Sequence, residues 1–173
     1  ATLVNKCLEL IEAHYLFDLS FENLDIVIHP ESQIHSIFEY NNYIYKMVAF
    51  QNDMLIPIYN FLNQKFNYVL NNDKLKISNT KSFNFSNVKK QEFPVYNFFK
   101  NLNKSEHSNI IKFNVGNEYA VNLFKNNIIK YTEILKIITK ITSINMEYKL
   151  NNIKDIIDYN ELLEIKISEK LNY

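Results

Sequence analysis

A chain of 173 residues with 19 basic and 19 acidic side chains has no net charge, and without a basic surplus it lacks the electrostatic footprint of a nucleic-acid binder. The single cysteine, Cys7, excludes an internal disulfide and a cysteine-held metal cluster and suits a reducing compartment. No apolar run approaches the roughly 20 residues that span a bilayer, so a soluble protein without membrane or nucleic-acid partners is expected.

Residues 2–17 predict an amphipathic helix, with Val4, Leu8, Ile11 and Tyr15 on one stripe. At about 100° per residue, Asn5, Glu9 and Glu12 project within about 60° of one another beside that stripe and can converge on one point. The chain opens at Ala1, inside this helical pattern and without an initiator Met or a targeting sequence, which predicts that something precedes it. "DIVIHP" follows as a β-branched run stopped by Pro30 and reads as a buried strand with His29 at its carboxyl end. "IHSIFEYNNYIYKMVAF" reads as two strands joined by a two-residue turn at Asn41 and Asn42, because asparagine tolerates positive φ. Asp53 then caps a helix over "MLIPIYNFL", where Pro57 is tolerable only near the first turn.

Residues 63–92 are polar and aperiodic and read as a linker. From Pro94 the pattern predicts four helices, 94–103, 116–127, 131–144 and 151–170, with Ile134, Leu135, Ile138 and Ile141 as the clearest stripe. The stretch "NVGNE" reads as a helix start capped by Asn114 or Asn117. The fold class is therefore α+β: an α/β piece in residues 1–62, the linker 63–92, and a small α-helical bundle in residues 93–173.

Two groups of residues could carry chemistry. Glu9 and Glu12, with Asn5 and Lys6 nearby, could hold a hard divalent cation and an anionic group, since oxygen ligands suit Mg²⁺ or Mn²⁺ and lysine suits phosphate. The same residues also suit an ordinary solvated helix face. His29 and His35 frame "HPESQIH", where a strand end suits a ligand site, although either could be a structural or surface histidine. Met54 could pack against a ring or simply fill space. Gly116 is the only glycine, which rules out a Gly-rich dinucleotide fingerprint and a phosphate loop within this chain.

"ATLVNKCLELIEAHYLFDL", "DIVIHPESQIHS", "NDMLIPI", "EFPVYNFF" and "NVGNEYAVNLF" together resemble the carboxyl-terminal part of the 1-deoxy-D-xylulose 5-phosphate reductoisomerase family. All five stretches fall in family order and spacing across nearly the whole chain, and the first two are the most specific. The resemblance implies conversion of 1-deoxy-D-xylulose 5-phosphate to 2-C-methyl-D-erythritol 4-phosphate for isoprenoid biosynthesis. Mg²⁺ or Mn²⁺ would act as Lewis acid and template for a retro-aldol and aldol rearrangement, and NADPH would reduce the aldehyde. It further implies Glu9 as metal ligand, Asn5 and Lys6 as binders of substrate and phosphate, Glu12 as a neighbouring acid, His35 as an active-site histidine and Met54 beside the nicotinamide. A homodimer is implied as well.

Several family features are absent from these residues: the NADPH-binding domain, an Asp-x-Glu pair completing the metal site, and the serines and histidine of the phosphate pocket and lid. The chain by itself is thus expected to be inactive and to need that amino-terminal part as partner. Cys7 stands where the family has Gly, Glu31 for Gln, Asn52 for Pro and Leu55 for Arg. The alternative is a non-catalytic helical interaction module or a decayed relic. With 27 asparagines and lysine as the sole strongly basic residue, the composition fits an AT-rich genome, hence a cytoplasmic bacterial enzyme or a plastid one.

Overall fold

Helices dominate where apolar residues recur at three- and four-residue spacing, and strands appear where β-branched and aromatic residues cluster. The computed structural model describes residues 2–62 and 82–171. Its helices and short strands form the expected α+β architecture. The chain divides into two units, Ala1–Asp25 with Lys89–Tyr173, and Ile26–Val88. The segments 1–62, 63–92 and 93–173 cut across this division, since the opening helix shares a unit with the helices after residue 93. Residues 63–81 of the linker lie outside the described residues.

The first unit holds α1 (Val4–Phe17), α3 (Pro94–Asn101), α4 (His107–Lys125), α5 (Ile134–Thr142) and α6 (Ile153–Lys170). α1 ends at Asp18, which takes the left-handed conformation (φ 53°) that a short polar side chain tolerates. Its buried line differs from the expected stripe: Val4 and Cys7 are buried, Leu8 and Ile11 are half-buried, and Tyr15 is 51% exposed. The Tyr15 hydroxyl instead lies 2.6 Å from His107 Nδ1 at the start of α4.

α3 starts on Pro94, whose fixed φ and missing N–H suit a first turn. Lys104 closes its other end, donating to the carbonyls of Phe99 (2.8 Å), Leu102 (3.0 Å) and Lys100 (3.2 Å). α4 corrects the sequence reading: it begins at His107, so Asn114, Gly116 and Asn117 are interior and cap nothing. Its carboxyl end is a Schellman motif with Asn127 left-handed (φ 58°), Ile128 N–H donating to Leu123 O and Asn127 N–H to Phe124 O. In α5 the buried set is Ile134, Ile137, Ile138 and Ile141, so Ile137 takes the place given to Leu135. Asn152 caps α6 by accepting from Asp155 N–H, while the Asp155 carboxylate accepts from Asn151 N–H.

The core lies in this unit, built from Phe99, Phe113, Ile137, Ile138, Ile141, Tyr159, Leu163, Ile167 and Cys7. Each large apolar side chain buried there contributes about 1.5–3 kcal/mol relative to exposure. Among the described residues, no helix is long and apolar enough to cross a membrane.

The second unit holds β1 (Val27–Ile28), β2 (Ile34–Glu39), β3 (Tyr45–Ala49), α2 (Leu55–Leu62) and β4 (Ser86–Asn87). The "DIVIHP" strand is only two residues long and pairs antiparallel with β4, and Val27 is exposed instead of buried. β2 and β3 form the expected hairpin. Its loop has three residues, not two, because Tyr40 N–H donates to Ile44 O and Tyr43 N–H to Tyr40 O. The left-handed residue is Tyr43 (φ 61°), not an asparagine. α2 starts as predicted: the Asp53 carboxylate accepts from Leu55 N–H at 2.9 Å, and Pro57 falls in the first turn.

Candidate active-site face on the opening helix

The first turns of α1 bring two polar side chains together around one carboxylate. Glu9 Oε1 accepts from Asn5 Nδ2 at 2.9 Å and from Lys6 Nζ at 3.0 Å, while Glu9 Oε2 accepts from Lys6 Nζ at 2.8 Å. These residues sit at i, i+1 and i+4, so a continuous helix suffices to position them. The Lys6 and Glu9 side chains are 51% and 44% exposed, open to a ligand in solvent. Glu12 is exposed and joins none of these hydrogen bonds.

Beneath this face, Cys7 anchors the helix. Burial pushes its thiol up to about 12, with the Lys104 ammonium acting in the opposite direction. The sulfur therefore stays protonated at neutral pH and serves packing, not nucleophilic attack or metal ligation. Around it, the Tyr96 hydroxyl donates to Asp25 Oδ1 at 2.5 Å and Lys100 Nζ lies 3.2 Å from the same oxygen. Burial, then the Asp25 carboxylate, raises the Tyr96 phenol well above its usual value.

The "HPESQIH" motif in the second unit holds its two histidines differently. His29 Nδ1 lies 2.9 Å from Asn84 O and 3.0 Å from Glu31 Oε2, its ring stacks on Phe85, and Nε2 is buried without a partner among the described residues. Glu31 is held by Asn84 through both the side-chain amide and the backbone N–H, and these bonds, with His29 nearby, keep its carboxyl below the usual range. His29 thus ties β1 to the segment before β4. His35 is exposed, stacked on Phe50 at 3.6 Å between ring centres, with Nε2 3.2 Å from Phe50 O. Met54, 69% exposed, precedes α2.

The geometry brings Asn5, Lys6 and Glu9 together in one unit, while His35 and Met54 belong to the other. Among the described residues, no group of three or more His, Cys, Asp or Glu side chains could hold a metal ion. A cation held at Glu9 would need further ligands from outside these residues. Lys6 contacts both oxygens of Glu9, so a cation at the carboxylate or an anion at the ammonium would have to open this ion pair. No sequence pattern pointed to Phe50 or to the grip of Asn84 on Glu31, because both are tertiary contacts between residues that carry no local motif.

The family model described as the DXP reductoisomerase C-terminal domain matches residues 51–164. The chain is 31% identical over 173 residues to the 1-deoxy-D-xylulose 5-phosphate reductoisomerase of Pelagibacter ubique, covering 97% of this chain and 45% of that protein. It is 37% identical over 157 residues to that of a Sulfurihydrogenibium species, covering 90% and 42%. Among solved structures, the Zymomonas mobilis reductoisomerase in complex with NADPH superposes with a TM-score of 0.85 at 27% identity, over 98% of this chain and 45% of that one. A reductoisomerase with fosmidomycin and magnesium also gives 0.85, at 25% identity over 99% and 45%. The chain spans less than half the length of each of these proteins.

Proposed function

Because the chain belongs to the DXP reductoisomerase C-terminal domain family, we propose that it is the carboxyl-terminal part of an NADPH- and divalent-metal-dependent reductoisomerase. The complete protein converts 1-deoxy-D-xylulose 5-phosphate to 2-C-methyl-D-erythritol 4-phosphate in non-mevalonate isoprenoid biosynthesis. The observation that carries this reading is the convergence of Asn5 and Lys6 on Glu9, in a chain that matches reductoisomerases over nearly all its length.

In this reading Glu9 is a ligand of Mg²⁺ or Mn²⁺, Lys6 and Asn5 bind the phosphorylated sugar, Glu12 lines the same pocket, His35 serves the reacting centre and Met54 packs beside the nicotinamide. When bound, the cation supplies Lewis-acid polarisation and NADPH supplies the hydride. The chain's own residues bind and orient: Lys6 answers the anionic phosphate as a point charge, Asn5 donates an amide hydrogen bond, and Cys7 keeps their helix seated on its core. Residues 1–62 belong to the catalytic domain and 93–173 to the terminal helical domain, with 63–92 between them, while β4 within that stretch pairs with β1 and α1 shares a unit with the terminal helices. The missing amino-terminal part supplies the NADPH site and the remaining metal ligands. The complete enzyme works as a cytoplasmic homodimer.

The test is Lys6→Met in the complete enzyme, beside an assay of these 173 residues alone. Losing one charge-assisted contact to phosphate, worth about 1.5–3 kcal/mol, raises the KM for the substrate roughly 10- to 100-fold. The chain alone gives no turnover. A wild-type KM in the variant sinks the phosphate role and favours a non-catalytic interaction module, and turnover by the chain alone refutes its dependence on the missing part.

A further inference from the structure

We propose that Phe50 is a positioning residue for His35, holding its imidazole so that Nδ1 is the nitrogen left to accept a proton or hydrogen bond at the reacting centre. This rests on the reading of His35 as an active-site residue.

The backbone sets up the arrangement. In the β2–β3 ladder Ile34 faces Ala49 and Ser36 faces Val48, so His35 is the extra residue of a bulge. A bulge re-aims the side chain it carries, and such irregularities gather next to active sites. Just before it, Phe50 N–H donates to Gln33 O at 3.0 Å, which fixes Phe50 beside the bulge.

Two side-chain interactions complete the arrangement. The His35 and Phe50 rings are 11° from parallel with centres 3.6 Å apart. His35 Nε2 also lies 3.2 Å from Phe50 O. A carbonyl oxygen only accepts, so Nε2 carries the hydrogen in this contact, and the neutral ring keeps its lone pair on Nδ1. His29 has the opposite arrangement, with Nδ1 facing Asn84 O. In their neutral forms the two histidines of one short motif thus carry the hydrogen on different nitrogens, and among the described residues the exposed one keeps Nδ1 as its acceptor. Without the stack, a single hydrogen bond would leave this exposed imidazole free to turn about its side-chain bonds.

Nitrogen-15 NMR of the 173-residue chain in mildly alkaline solution reads the tautomer directly. Nuclear Overhauser effects between the two rings read the stack. Nε2–H is expected, together with ring-to-ring Overhauser effects that vanish in Phe50→Leu and persist in Phe50→Tyr. In the complete enzyme, Phe50→Leu should lower kcat about tenfold or more with little change in KM, because misplacing a catalytic group is costly. Phe50→Tyr should restore kcat, which a merely structural defect would not do selectively. An Nδ1–H tautomer overturns the proposal. So does full kcat in Phe50→Leu when His35→Gln is impaired. Full kcat in His35→Gln overturns the role given to His35, and this proposal with it.

Discussion

Gly116 in α4 lies against the main chain of α5, so close that a Cβ built on it would sit 3.3 Å from Ile138 Cα and 3.4 Å from Cβ and Cγ2 of Ile141. Alanine is the better helix former by about 1 kcal/mol, which alone would favour Gly116→Ala. The opposing atom belongs to a helix backbone, however, and cannot swing aside as a flexible side chain can. Overpacking of this kind costs about 1–3 kcal/mol, so Gly116→Ala should lose about 1 kcal/mol net, and Gly116→Val more. Urea unfolding with an unchanged slope would record this as a lower midpoint, and a raised midpoint would mean that the α4–α5 contact is looser than described.

Tyr43 sits at φ 61° in the hairpin loop with 86% of its surface exposed. A side chain with a Cβ costs about 1–2 kcal/mol there, and an asparagine costs less. Little packing is lost on replacement, so Tyr43→Asn should stabilise the hairpin by about 1 kcal/mol. Amide exchange at Tyr40 and Tyr43, whose N–H groups close the loop, should slow several-fold. Unchanged exchange would mean that the loop relaxes its strain in some other way.

Tyr43 also illustrates what the sequence could and could not reveal. Local patterns were legible: the start of α3 on Pro94, the Asp53 cap, the α6 periodicity and the placing of Asn5 and Glu9 on one helix face follow from short-range rules, whereas Glu12, expected to converge with them, joins none of their hydrogen bonds and Lys6 takes that place. The two asparagines of the loop drew the turn to themselves, but the hydrogen bonds put the left-handed position one residue later. The stretch around Gly116 read as a helix start because Asn114 and Asn117 suit caps, yet Gly116 lies inside α4. Its reason for being there is Ile138, 22 positions away, which no periodicity discloses. The start of α4 was hidden for the same reason, since the polar stretch before Ile110 has no stripe until α5 and α6 are packed on it. β4 and Phe50 depend wholly on pairing with distant or bulged residues.

Cys7 gives a pH prediction. Burial raises its thiol from 9.0 to about 12, so the unfolded chain loses the proton first as pH rises. The stability it contributes is fully present below about pH 9 and is lost as pH climbs toward 12. Tyr15 and Tyr96 are also raised and add to the loss above pH 10. Lys104 and Lys112 are lowered by burial and act in the opposite sense below 10.5. Comparing wild type with Cys7→Ala isolates the thiol: the variant should be offset at neutral pH by a small cavity loss. Above pH 9 its stability should fall less steeply than that of the wild type, by at most about 1.4 kcal/mol per pH unit. Parallel curves from pH 9 to 11 would show that Cys7 ionises freely in the folded protein.

Glu9 separates stability from function. Its pairing with Lys6 is an exposed contact three residues apart, and such pairs contribute about 0.3–0.5 kcal/mol. Glu9→Gln should therefore shift the urea midpoint of the chain very little, because the helix is held by Val4 and Cys7 from below. On the proposed reading of Glu9 as a metal ligand, the same change in the complete enzyme removes a negatively charged oxygen ligand while keeping the shape of the side chain. Loss even of groups that merely orient metal ligands costs 10- to 100-fold, so loss of a ligand should lower turnover by at least about a hundredfold. Raising the Mn²⁺ concentration should recover part of that loss, which repairing a packing defect would not do. A variant that unfolds several kcal/mol sooner would make Glu9 a structural residue. One with intact folding and unchanged turnover would leave the face of α1 as a surface for a partner and not for a metal.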